Sequence, residues 1–142
     1  MNEPLAALRL AQHPTCVVCG AAHPTGLRVA FSPRDDGGVQ GTFQGDPSWE
    51  GYHGLLHGGV LGALLDGAMT NCLFAHGISA VTAELNVRYL ECVPVGRRLE
   101  ISAWLVRTRG RVHVLQAEIR QDDRIAARAS AKFMDRRHLS NC

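Results

Sequence analysis

Residues 58–75 carry a single formally charged side chain, Asp66, in an otherwise oily run that begins at His57-Gly58-Gly59. A carboxylate held in such a run loses its hydration, so it must find a partner or keep its proton to higher pH than usual. Read as a helix, the run sets Asp66 over Gly62 and Ala63, with Gly59 a further turn up, because helical side chains lean toward the N-terminus. These small residues leave a groove from the helix start to the acid. The start itself offers backbone N–H groups and the positive end of the helix dipole, which suit an oxyanion or a polarised carbonyl. Two readings follow: a functional acid served by that groove, and a structural Asp bonded to nearby backbone.

The surrounding elements must hold that helix. Residues 4–12 read as a short amphipathic helix opened by Pro4. Strands are expected at about 27–32 and 38–44, parted by the turn Pro33-Arg34-Asp35-Asp36-Gly37. A loop at 45–56 leads into a helix at 58–76, which Gly77 stops. Strict alternation then places Val81, Ala83, Leu85, Val87 and Tyr89 on one face of a strand, and Thr82, Glu84, Asn86 and Arg88 on the other. Further strands are expected at 97–107, 111–121 and 124–134, with Ala127, Ala129 and Ala131 small enough to let the helix approach. Two strands, a long helix and four strands make an α+β domain, an antiparallel sheet wrapped around one helix. The strand at 80–90 is too apolar to remain a free edge, so pairing with a second copy is expected.

Bulk properties exclude several classes. At 142 residues the chain suits one domain, able to bury roughly two-thirds of its unfolded surface. With 46% hydrophobic and 20% charged residues, it is not a disordered segment. A net charge of +2, with no basic run beyond pairs such as Arg97-Arg98 and Arg136-Arg137, argues against nucleic acid as a partner. No stretch reaches the ~20 apolar residues of a membrane span. The first twenty residues lack a basic start followed by an apolar core, so no secretory signal is expected. Five cysteines, an odd number, fit thiols in a reducing cytoplasm better than a disulfide framework.

Three segments resemble one family. GYHGLLHGGVLGALLDGAMTNC (51–72) is similar to the helix of the hotdog-fold acyl-CoA thioesterases, in particular the phenylacetate-degradation (PaaI-like) group. TAELNVRYLECVPVG (82–96) resembles the strand and turn that follow it, and CVVCGAAHPTGLRVAF (16–31) an N-terminal segment of one branch. The resemblance thus runs from residue 16 to about 134. It implies a hotdog domain over 27–136, an N-terminal flap at 1–26 and a tail at 137–142. It also implies a homodimer or dimer of dimers, with the active site in the crevice between subunits. The substrate would be an acyl-CoA, and no cofactor is needed, because coenzyme A is part of the substrate. Asp66 matches the catalytic acid, as nucleophile or general base. Gly59 matches the residue whose N–H polarises the thioester carbonyl, and His57 a histidine that lines the site. Thr82 matches a hydroxyl, contributed across the dimer, that orients water. Gly58, His53, Asn86 and Arg88 are the positions expected to touch substrate.

Some features depart from that pattern. Gly51, Tyr52 and His53 stand where some members carry an amide side chain, and Gly67 stands where many carry a glutamate beside the acid. Cys16-Val17-Val18-Cys19, with His13 and His23 nearby, supplies half of a zinc site, and no second Cys-x-x-Cys exists. The expectation is therefore a pair of thiols packing the flap, without metal. Two other activities share the fold. A hydratase or dehydratase would carry an Asp-x-Asn-Pro-x-His segment, which is absent, and a non-catalytic acyl-CoA-binding protein would need no acid in the helix.

Overall fold

The computed structural model describes residues 3–136; the tail at 137–142 lies outside them. The order is α1 (Glu3–Gln12), β1 (Ser32–Pro33), β2 (Val39–Gln44), a 3-10 turn (Pro47–Trp49), α2 (Gly58–Ala75), β3 (Ala80–Tyr89), β4 (Arg98–Arg109), β5 (Val112–Gln121) and β6 (Arg124–Asp135). The six strands form one antiparallel sheet in the order β1-β2-β4-β5-β6-β3. This is the expected α+β arrangement, with α2 lying across the sheet. Ala103, Ala117, Ala127, Ala129 and Ala131 are all buried beneath it, so the helix backbone comes close to the strands. Leu64, Leu65, Met69 and Leu73 fill the space between, each at most 1% exposed. Truncating any of them to Ala would cost about 2–5 kcal/mol.

α2 is bounded at both ends by its own sequence. At the C-terminus Gly77 takes φ +73, a left-handed conformation, while Gly77 N–H donates to Phe74 O and Ile78 N–H to Leu73 O. That pair of bonds is a complete Schellman cap. By length and apolar content alone this 18-residue helix would pass for a membrane span, yet 67% of it is buried inside the fold.

The second face of α2 is covered by the N-terminal segment rather than by strands. Val18 and Cys19 are buried there, and the His13 ring meets Phe74 edge-on at 5.0 Å. Gly67 is the reason they fit. A Cβ at that position would lie 2.5 Å from Val18 Cγ1. Any larger side chain at position 67 would have to displace the flap. Gly to Ala in a helix interior ordinarily gains about 1 kcal/mol. Here Gly67→Ala is expected to lose about 1–3 kcal/mol through overpacking, read as a lower denaturation midpoint. In a Val18→Ala background the same change should become neutral or stabilising.

Two expectations are corrected. The strand at about 27–32 shrinks to Ser32–Pro33. Arg28 adopts φ +54, held by its guanidinium on His23 O and Pro24 O, and that left-handed residue cannot sit within an extended strand. Leu27 and Val29 donate to Val17 O and Val18 O of the flap instead of joining the sheet. The alternation along β3 is also broken. Thr82 pairs with Phe133 and Glu84 with Lys132, so Ala83 is an extra residue, a β-bulge. The bulge puts Thr82 on the same face as Leu85, Val87 and Tyr89, toward α2. Glu84, Asn86 and Arg88 point away.

Candidate active site

Asp66 sits midway along α2 on the line Gly58–Gly62–Asp66, one residue per turn, which faces β3. Thr82, brought to that face by the bulge, donates its hydroxyl to Asp66 Oδ1 at 2.5 Å. Asp66 is half-buried and Thr82 is exposed, so the pair lies open at the sheet edge. Burial raises the Asp66 carboxyl above its ordinary value, and the Thr82 bond pulls it partway back. The charge of Cys16 adds to the rise and His13 opposes it. The carboxyl therefore keeps one oxygen free, beside a hydroxyl whose own lone pairs remain available. A base with an adjacent acceptor is what an attacking water requires.

The helix start is built by the loop before it. Asp46 caps the 3-10 turn through Ser48 N–H at 2.8 Å. His57 N–H then donates to Trp49 O, and Leu56 N–H to Val93 O, which fixes the direction in which α2 leaves. His57 is the N-cap residue, and its Nδ1 accepts the Gly59 N–H at 2.7 Å. The Gly59 N–H is already occupied, and the N–H groups of Val60 and Leu61 both go to His57 O. Among the described residues the Gly58 N–H has no acceptor, so Gly58 is the residue with a donor to offer an oxyanion. With Nδ1 accepting, the proton of a neutral His57 ring is on Nε2, a second donor at the same helix end.

Tyr89 was not singled out from sequence. Its hydroxyl donates to Gly58 O at 2.7 Å, and its ring lies over Gly58 and Gly62, where the expected groove runs. It thereby pins the first helical peptide. A tyrosine ending an apolar strand face was the available signal. Tyr89, His57, Gly58, Tyr52, Leu55 and Leu61 border a largely apolar cavity of about 440 Å³ at the helix start. Asp66 does not line it.

The remaining expected contacts fall elsewhere. His53 is fully exposed on the loop, 3.8 Å from Glu50, and does not border the cavity. Asn86 donates to Glu84 and, with Arg88, lines a polar trough with Trp104 and Arg128 on the sheet's far face. The bulge at Ala83 separates them from Thr82, so they do not join Asp66. His76 Nε2 is hydrogen-bonded to Gly37 O, and buried His113 lies between Thr108 and Asp135, both structural positions. Burial pushes the Cys72 thiol up to about 11, which removes it as a nucleophile.

Similarity to known proteins bears on this site. The thioesterase superfamily profile matches residues 53–127, just over half of the chain. The bovine (Bos taurus) acyl-coenzyme A thioesterase THEM4 is 33% identical over 95 residues, 67% of this chain and 39% of that protein. The chain thus spans about two-fifths of the length of that curated relative. A solved thioesterase superfamily protein superposes with a TM-score of 0.79 at 27% identity, covering 83% of this chain and 62% of that one. The phenylacetic acid degradation-related protein of Ralstonia eutropha JMP134 superposes at 0.75 with 25% identity, covering 92% and 98%.

Proposed function

Since the chain belongs to the thioesterase superfamily, we propose that it is an acyl-CoA thioesterase whose active site is shared between two copies. The observation that carries this is a distance. Gly58 and Asp66 are eight residues apart on one helix, roughly 12 Å along its axis. A donor and a base serving one carbonyl must each lie about 3 Å from the reacting atoms. One helix cannot supply both to the same substrate. Two helices running antiparallel, meeting where β3 leaves its outer edge unpaired, bring the start of each opposite the acid of the other. Leu85, Tyr89 and Leu90 are exposed along that edge, which supports its being covered.

In this reading the acyl thioester binds in the cavity at one helix start, with its carbonyl oxygen on the Gly58 N–H and near His57. A water held by Thr82 and Asp66 of the facing copy loses a proton to the carboxylate as its oxygen attacks the carbonyl carbon. The oxyanion is stabilised by Gly58. Collapse expels the coenzyme A thiolate, which takes the proton from Asp66, leaving free acid and CoA. Asp66 is thus a general base, and no cofactor takes part.

The purified chain, offered short, medium, long-chain and aromatic acyl-CoAs, is expected to release free thiol from at least one class. Tight binding of acyl-CoA without thiol release would instead identify a non-catalytic binding protein.

A further inference from the structure

The segment that covers α2 brings three metal-ligating side chains together. His13 follows α1, its N–H on Arg9 O at 2.8 Å and its ring against Phe74. Cys16 and Cys19 lie on the turn that follows. The His13, Cys16 and Cys19 ligand atoms all lie within 4.8 Å of one another, and Cys19 Sγ is 3.6 Å from His13 Nδ1. With zinc–sulfur and zinc–nitrogen bonds of ~2.3 and ~2.05 Å, ligand atoms of a tetrahedral centre sit about 3.5–3.8 Å apart. The pair is already at that spacing.

The backbone is shaped to present the sulfurs. Val18 N–H points to Cys16 Sγ at 3.4 Å, and Gly20 N–H closes the turn on Cys16 O at 2.9 Å. A Cβ at Gly20 would lie 2.3 Å from Cys16 N, so only glycine permits a turn this tight. A second, independent feature comes from α2. Asn71 is fully buried with its amide against Cys19, and its Nδ2 donates to Gly67 O at 2.8 Å. Its Oδ1 has no hydrogen-bond partner. A buried carbonyl oxygen without a donor is costly, and a metal-bound water would supply one.

The geometry points to a zinc site formed by His13, Cys16 and Cys19, with a water in the fourth position hydrogen-bonded to Asn71 Oδ1. The third ligand is His13, the residue that follows α1, so the cluster needs no second Cys-x-x-Cys pair. The ion ties the end of α1 and the turn to the Gly67–Asn71–Phe74 face of α2, beside buried Leu5, Val18 and Cys19. Its role is to hold the flap. His13 and Cys16 are only partly buried, which leaves the ion a way in.

The test uses the full chain, loaded with zinc and dialysed, and separately loaded with cobalt(II). The expected result is one zinc per chain by elemental analysis, and thiolate-to-cobalt charge-transfer absorption in the near ultraviolet. Both should be lost in His13→Asn and Cys19→Ser and kept in Cys92→Ser, whose thiol is exposed and remote from the cluster. Asn71→Leu should weaken zinc binding about 10- to 100-fold, as loss of an outer partner does. Chelation should speed proteolytic cleavage within residues 3–26. Absence of stoichiometric zinc from wild-type chain would overturn the proposal, as would a cobalt spectrum unaltered in both ligand variants. A Cys16–Cys19 disulfide that forms in air and resists displacement by zinc under reductant would do the same.

Discussion

Asp66→Asn is expected to cut acyl-CoA turnover by at least ~100-fold, the low end of what a positioned base contributes, while the protein remains folded and assembled. Asn preserves size and still accepts the Thr82 hydroxyl, so the loss reports the missing charge. The stability effect should have the opposite sign. Burial holds the Asp66 carboxyl above its ordinary value, so the folded chain binds that proton more tightly than the unfolded chain. The group therefore opposes folding at neutral pH. That opposition is absent below the unfolded value and complete above the raised folded one. Removing the charge should leave the neutral-pH midpoint unchanged or higher. The same raised value puts the acidic limb of kcat/KM above the ordinary carboxylate range. Thr82→Val removes the bond that pulls the value down, so the limb should move further up. Near-normal turnover by Asp66→Asn, or a limb that moves down in Thr82→Val, would end the assignment of Asp66 as base.

What the sequence revealed of this site follows a physical division. Asp66 and the limits of α2 were legible because they depend on local chemistry: one charge in an apolar run, small residues one turn apart, a glycine past the helix end. The positions of strands β2 to β6 along the chain were legible from alternation and turns, though not their order in the sheet. Three features were not: one depends on pairing between strands far apart in the chain, and two on local side-chain-to-backbone hydrogen bonds that residue types alone do not specify. The bulge at Ala83 exists only in the pairing with β6, yet it decides that Thr82 joins Asp66 and that Asn86 and Arg88 do not. Arg28 leaves the extended region because carbonyls of the flap hold its guanidinium. The free donor is Gly58 rather than Gly59 because the His57 ring folds back as the helix cap. A period-two reading of β3 cannot anticipate an inserted residue, and a list of N–H groups cannot say which one a neighbouring imidazole has taken.

Gly58→Pro should lower turnover by about 100- to 1,000-fold, the loss seen when one oxyanion donor is removed. Few substitutions isolate a backbone N–H, but this position allows it. Proline is favoured at the first residue of a helix, where its missing N–H was unpaired in any case. His57, at φ −64 and ψ 136, already has the extended conformation that a following proline demands. The nearest atoms to a Cβ at Gly58 belong to Tyr89, its ring at 3.6 Å, an ordinary contact. Gly58→Ala keeps the N–H and should remain close to wild type. The variant also decides whether one site draws on two chains. Gly58→Pro carries an intact Asp66, and Asp66→Asn carries an intact Gly58 donor. In a dimer of one of each, a shared arrangement gives one site with both groups and one with neither. Random reassembly of equal amounts makes half the dimers mixed, so about a quarter of all sites should work. If each site used the Gly58 and Asp66 of a single chain, every site in the mixture would lack one group. Activity that stays at the level of the separate variants after co-refolding would then rule out the shared site, even if both single substitutions behave as expected.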